Sequence, residues 1–208
     1  MAFGDLPRGK VTIVDKDEDQ AEIDDNTNTL VFIDFPHHKI HEGKSFTCHY
    51  SNDITAVNEQ TGIAFNTPNT TNWIHMFFRA ESSTLAYAAI YEVADLDNDE
   101  GTDLTIYNRN RNSSTASTVS TVEATPEVGK ATSYNETQLA GATLSTTNEI
   151  MKWYIGTNEW KGDPGAGIRT ENEFILKANT QYCFLLNSLS IEDGTHNIAL
   201  SWYEHQNN

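Results

Sequence analysis

Apolar residues fall along this chain in short runs, many of them alternating with polar residues. From residue 30 onward the runs are Leu30–Phe35, Ser45–Tyr50, Gly62–Phe65, Trp73–Phe78, Leu85–Val93, Thr102–Tyr107, Met151–Ile155, Glu173–Lys177, Gln181–Leu186 and Asn197–Tyr203. Ser45-Phe46-Thr47-Cys48-His49-Tyr50 follows the Glu42-Gly43-Lys44 turn and has the period of two of a strand with one buried face. Short strands at this spacing, with Gly, Pro, Asn and Asp between them, predict an all-β fold, an antiparallel sandwich or barrel. Ala80–Val93 admits a second reading as an alanine-rich helix, but Tyr87, Ile90, Tyr91 and Val93 favour a strand. Lys177-Ala178-Asn179-Thr180-Gln181 reads as a compact turn, with Asn179 tolerating the left-handed conformation. It predicts a β-hairpin over Glu173–Leu186.

Two stretches break the pattern. Residues 1–28 read as an extended N-terminal arm, with one β-like run, Val11–Val14, then the charged Asp15–Asp19 and the polar Asp24-Asp25-Asn26. Charge runs of this kind are usually solvated. Residues 29–208 then form the β-sandwich domain. Within it Asn112–Thr125 is dominated by Ser and Thr, which suits a flexible loop or a Thr-rich edge strand. The polar stretch 108–148 reads as an excursion from the core and as the expected contact surface.

Composition narrows the partners. The 208 residues carry 30 acidic and 13 basic side chains, a formal net charge of −17. A surface this negative repels phosphate backbones and anionic membranes, so neither nucleic acid nor membrane is expected as a partner. The N-terminal Met1–Lys10 segment lacks the apolar run of a signal peptide, and no stretch reaches the ~18 apolar residues of a membrane helix. Cys48 and Cys183 both sit in strand-like runs and read as buried free thiols of a protein made in a reducing cytoplasm, with a disulfide as the alternative, since a stapled secreted scaffold usually carries more cysteines.

Four groups of residues carry candidate chemistry. His37-His38-Lys39-Ile40-His41-Glu42, with His49 and His75 elsewhere, supplies imidazoles for a metal site only if ligands converge from several strands. The alternative is a polar strand, with His37, Lys39 and His41 on one face, leading into a turn. Asp95, Asp97 and Asp99 hold positions 1, 3 and 5 of a calcium-type loop, yet Gly101 falls at position 7 and Ile106 at position 12, where such a loop needs Gly at 6 and Glu at 12. A solvated acidic loop over Asp95–Asp103 explains the same residues. Trp153, Tyr154 and Trp160 would suit a sugar platform, unless Trp153 simply belongs to the core. Catalytic patterns are missing: there is no G-x-S-x-G elbow, phosphate-binding loop or dinucleotide fingerprint. Asp163-Pro164-Gly165-Ala166-Gly167 reads as a plain loop. Cys48 and His49, adjacent on a strand, point to opposite faces and form no dyad. No residue is therefore assigned a catalytic, cofactor-binding or metal role, and the chain reads as a binding or structural protein rather than an enzyme. A carboxylate pair of the glycosidase kind remains the enzymatic alternative.

Several segments together carry a family likeness. They are Pro36–Phe46, Phe65–Trp73, Tyr107–Ser113 and Phe174–Tyr182, with the close of the chain on Trp202-Tyr203-Glu204-His205. The set resembles small accessory structural proteins of tailed bacteriophages, nearest to those that decorate the head. The resemblance implies a β-sandwich of jelly-roll type, assembling as a homotrimer on the outer capsid surface and clamping the major capsid protein. It carries no catalytic residues. A tail- or fibre-type receptor- or glycan-binding module is the alternative role.

Overall fold

The computed structural model describes residues 23–24, 29–30, 35–92, 96, 101–122, 126–135, 144, 148–156 and 173–206. The chain divides into two units, Met1–His38 and Lys39–Asn208. In the first, β1 (Ile23–Asp24) pairs antiparallel with β2 (Thr29–Leu30). The remainder of the expected arm, including Val11–Val14 and Asp15–Asp19, lies outside the described residues.

Phe35–His41 is a helix, α1, and not the expected polar strand. Pro36 sits in its first turn, where the missing N–H costs nothing and the fixed φ favours helix. Gly43, at φ +70°, ends it. The Gly43 N–H donates to the Ile40 carbonyl at 3.0 Å and the Lys44 N–H to the Lys39 carbonyl at 2.9 Å, the pairing of a Schellman cap. Strand alternation of His37, Lys39 and His41 is thereby lost.

The second unit is an antiparallel β-sandwich. Its strands are β3 (Ser45–Ile54), β4 (Gln60–Asn66), β5 (Asn72–Ser82), β6 (Ala86–Glu92), β7 (Thr102–Thr105), β8 (Tyr107–Asn108), β9 (Lys130–Asn135), β10 (Glu149–Ile155), β11 (Phe174–Leu176), β12 (Gln181–Ser188) and β13 (Gly194–Gln206). One sheet runs β10-β6-β12-β4-β9-β7 and the other β11-β5-β13-β3-β8. Within the expected Leu85–Val93 run, Ala86–Glu92 is thus a strand, as its β-branched and aromatic residues predict, and the helical alternative falls; Val93 lies outside the described residues.

Glu173–Leu186 is not a hairpin. The turn is present and Asn179 does adopt positive φ, at +50°. However, β11 pairs with β5, Ile175 opposite His75, whereas β12 pairs with β4 and β6 in the other sheet. The turn therefore crosses between sheets. The β4–β5 connection holds it there: the Thr67 hydroxyl donates to the Lys177 carbonyl at 2.6 Å and the Asn179 N–H to the Pro68 carbonyl at 3.1 Å.

Alternation along the strands aims one set of side chains between the sheets. Phe46 and Cys48 of β3, Ile74, Met76 and Phe78 of β5, and Ile198, Leu200 and Trp202 of β13 meet Ile63, Phe65, Ile90, Tyr182, Phe184 and Leu186. Among the described residues the closest ring contact bridges the sheets, Phe78 stacking on Phe184 at 4.3 Å. Each such ring removes roughly 150–250 Å² from water.

The described parts of 108–148 are built into this body. β9 lies between β4 and β7, and the Ser/Thr-rich segment is fastened by a buried carboxylate. Glu204 accepts from the Ser117 and Thr118 hydroxyls, both at 2.6 Å, from the Thr118 N–H at 3.1 Å and from the Trp202 indole at 3.1 Å. Up to Val122 the segment is neither a strand nor a free loop.

His196, fully buried at one end of the core, has one ring nitrogen 3.1 Å from the Thr61 hydroxyl and the other without a partner among the described residues. Burial holds it at about 4, against an ordinary 6.5. Between those values the unfolded chain takes up a proton that the folded chain refuses, so stability falls as the pH falls through the window. Acidification from about pH 7.5 to about pH 5 is expected to cost about 2 kcal/mol through this residue. Urea denaturation of the native chain and of His196→Gln across that range checks it, since the variant should lose this part of the pH dependence.

Candidate functional site

The two outer faces of the sandwich differ. On the six-stranded sheet Ala64, Ala89, Tyr91, Tyr134, Cys183 and Leu185 form an outer apolar cluster with Leu96 and Val122, with Tyr87 and Leu144 packed against it, so the chain itself covers part of that face. The outer face of the five-stranded sheet carries Trp73, His75, Phe77, Arg79 and Glu81 from β5 and Tyr203 and His205 from β13, by strand alternation in the register Tyr203 opposite His75 and His205 opposite Trp73. Trp73 there is 39% exposed and Ile175, on β11, 54%.

A compact polar and aromatic cluster sits at this end of the face. His75 is 8% exposed and Tyr203 5%, and the two rings stack at 4.6 Å. Glu173, just before β11, takes a hydrogen bond from the Tyr203 hydroxyl at 2.6 Å and pairs with His75 Nδ1. Tyr203 Oη also lies 3.1 Å from that nitrogen. Across the strand, His75 Nε2 and His205 Nε2 are 2.9 Å apart. His205 Nδ1 donates to the Gln206 carbonyl at 2.9 Å, and Trp73 flanks the His205 ring at 6.3 Å. Burial, together with the Glu173 carboxylate, holds the Tyr203 phenol above its ordinary value. The arrangement offers fixed imidazole nitrogens beside a partly exposed indole.

The structure thus joins His75 not to the sequence-adjacent histidines but to His205, Glu173 and Tyr203. His37, His38 and His41 lie on α1, and His49 is exposed on β3. Lys39 and Lys44 claim Glu42, at 2.8 and 3.4 Å. Although burial opposes it, these two ammoniums hold the Glu42 carboxyl below its ordinary value. Among the described residues, no three His, Cys, Asp or Glu side chains form a metal-binding group.

The other candidates separate. Of Asp95–Asp103 only Leu96 and Gly101–Asp103 are described; there Asp103 belongs to β7 and binds Lys130 at 2.7 Å. Trp153 packs against the inner core, which is the core alternative for that residue. Tyr154 is exposed and meets Tyr87 edge-on at 6.4 Å. Trp160 and Asp163–Gly167 lie outside the described residues. No described helix is long and apolar enough to cross a membrane.

Comparison with known proteins returns nothing. No protein-family model, no curated protein and no solved structure matches this chain.

Cys48 and Cys183 are free and buried, as the sequence predicts, on opposite sides of different sheets: Cys48 faces the inter-sheet core and Cys183 the covered outer layer. Burial pushes both thiols up to about 12, which leaves almost no thiolate to react near neutral pH. With an aromatic disulfide reagent, the native chain should show under a tenth of the thiol reactivity of the urea-unfolded chain. Full, rapid labelling of the folded protein would contradict this burial.

Proposed function

We propose that this chain is a phage virion structural protein, a decoration or cement protein that binds the outer capsid surface and stabilises the head. The observation that carries the reading is strand order. Leaving aside β7, β8 and β9, the sheets run β3-β13-β5-β11 and β4-β12-β6-β10, so the β3–β4, β4–β5, β5–β6, β10–β11, β11–β12 and β12–β13 connections all change sheet. That order supports a jelly-roll reading of the sandwich, an architecture recurring in viral capsid and lectin domains. Architecture alone does not fix function; the likeness of Pro36–Phe46, Phe65–Trp73, Tyr107–Ser113 and Phe174–Tyr182 to head-decoration proteins gives the direction. The net charge of −17 suits a protein on the outside of a DNA-filled shell, where packaged phosphates repel it.

In this reading the partners are the major capsid protein and two further copies of the chain, with neither nucleic acid nor membrane. Attachment is multivalent: modest contacts from each protomer of a homotrimer combine through high effective concentration. No catalytic step is involved. The second reading, a receptor- or glycan-binding tail module, draws on the open face, where Trp73 and Tyr107 are partly exposed; titration with host polysaccharide separates it.

Purified particles decide the matter through the ratio of this chain to the major capsid protein, measured by quantitative mass spectrometry. A decorating role predicts copies in fixed proportion to capsid subunits and loss of particle heat resistance when the protein is stripped. A handful of copies per particle would move the protein to the tail, and none would remove it from the virion.

A further inference from the structure

We propose that copies of this chain join head to tail, with Ile191, Glu192 and Asp193 of one copy seated on Tyr107, Arg109 and Arg111 of the next. Such a contact would build the homotrimer proposed above, and it rests on that reading. The chain has 13 basic against 30 acidic side chains, so its cations have carboxylates at hand. Among the described residues Lys39, Lys44, Arg79, Lys130, Lys152 and Lys177 each pair with one. Arg109 and Arg111 do not. Both are exposed, and their guanidinium groups reach only the Ser45 hydroxyl and the Asn108 carbonyl, each at 3.4 Å.

The two arginines stand on a loop fixed by its own polar groups. Asn108 is buried; its side-chain amide donates to the Gly43 and Thr115 carbonyls at 2.7 and 2.9 Å, and its side-chain oxygen accepts from the Asn110 N–H at 2.9 Å. Asn110 in turn accepts from the Asn112 N–H at 3.2 Å through its side chain and from the Ser113 N–H at 2.9 Å through its carbonyl. The Arg111 guanidinium lies over the Tyr107 ring, 5.4 Å from its centre, and Tyr107 is 44% exposed. Arginine and tyrosine supply much of the binding energy of protein interfaces, and a loop already held in place loses little entropy on docking.

The complement lies at the far end of the same sheet. Between β12 and β13 Ile191 is 83% exposed, the most open of the large apolar side chains among the described residues. Glu192 and Asp193 follow it, exposed and without a cation among the described residues. This loop is also pinned, the Ser188 hydroxyl donating to the Ser190 carbonyl and the Ser190 hydroxyl accepting from the Glu192 N–H, both at 3.1 Å. β3 separates the two ends, with Phe46 opposite Asn108 and Ile54 opposite Gly194, roughly 26 Å apart at the rise of a strand. One end thus offers an apolar knob with two anions, the other an aromatic ring with two cations. A lone exposed ion pair adds little, but an isoleucine over the tyrosine excludes water from the pairs around it. Different patches meeting head to tail make a heterologous contact, which closes into a ring around a three-fold axis.

Sedimentation velocity of the full chain tests this. Expected is a trimer that weakens as salt rises from about 0.05 M to about 0.5 M. Arg109→Glu with Arg111→Glu should weaken assembly at least about tenfold, as should Glu192→Lys with Asp193→Lys, and the four changes together should restore it to within about threefold. Ile191→Ser should weaken it about tenfold. Lys130→Glu with Lys177→Glu, the same change in net charge elsewhere, should leave assembly within about threefold of the native chain. Melting curves of each variant confirm folding. A trimer indifferent to both reversals, or folded reversals that do not restore one another, would overturn this contact and leave the homotrimer standing. A monomeric native chain would overturn both.

Discussion

β13 is hydrogen-bonded along both edges, to β3 from Gly194 to Tyr203 and to β5 from His196 to Gln206, and the rest of the sandwich is organised by that double ladder. Its register decides which residues enter the core. Ile198, Leu200 and Trp202 point between the sheets, and Glu204 on the same side reaches Ser117 and Thr118. A slip of one residue would turn every side chain to the other face. Tyr203 and His205 would then enter the core, Trp202 would face outward, and the buried carboxylate would lose its donors. Removing the partners of a buried charge costs several kcal/mol, so the Glu204 contacts and the ring contacts of the core select the same register.

That register also builds the polar cluster. Tyr203 and His205 stand on the outer face because Trp202 and Glu204 stand on the inner one, and Trp73 and His75 are brought beside them by the β5 pairing. The third partner, Glu173, arrives because β11 extends the β5 edge. Core and cluster are consequences of one alternation read on its two faces. On the six-stranded sheet Leu96 and Val122 pack over part of the outer face, while Tyr154 of β10 stays exposed beside Tyr87.

Much of this was legible in the amino-acid sequence, and the misses have physical causes. Strands at 45–50, 73–78, 181–186 and 197–203 announce themselves through alternation or apolar runs, and the buried thiols follow from them. The run Tyr182-Cys183-Phe184-Leu185-Leu186 is apolar at every position because β12 is covered on both faces, the pattern of a fully buried strand. The turn at Lys177–Thr180 is equally plain, but turn chemistry does not say which sheet the next strand joins; pairing over long sequence separation does. β9 escapes because Lys130-Ala131-Thr132-Ser133-Tyr134-Asn135 buries Ala131, Thr132 and Ser133 beside a single large side chain, Tyr134, and so carries no apolar run. In α1, Pro36 and Gly43 outweigh the strand-like spacing of the histidines. The cluster needed His75 and His205 to be recognised as neighbours, and 130 residues separate them.

The functional reading rests on the crossing of the chain between sheets at residues 177–180, since a hairpin there would abolish the strand order that supports it. Interstrand nuclear Overhauser effects measure that pairing directly. The account predicts backbone contacts between β11 and β5, Ile175 opposite His75 and Leu176 opposite Ile74, with Phe184 of β12 opposite Ile63 and Ile90. Backbone contacts running from β11 to β12 around Asn179, with none from β11 to β5, would contradict it.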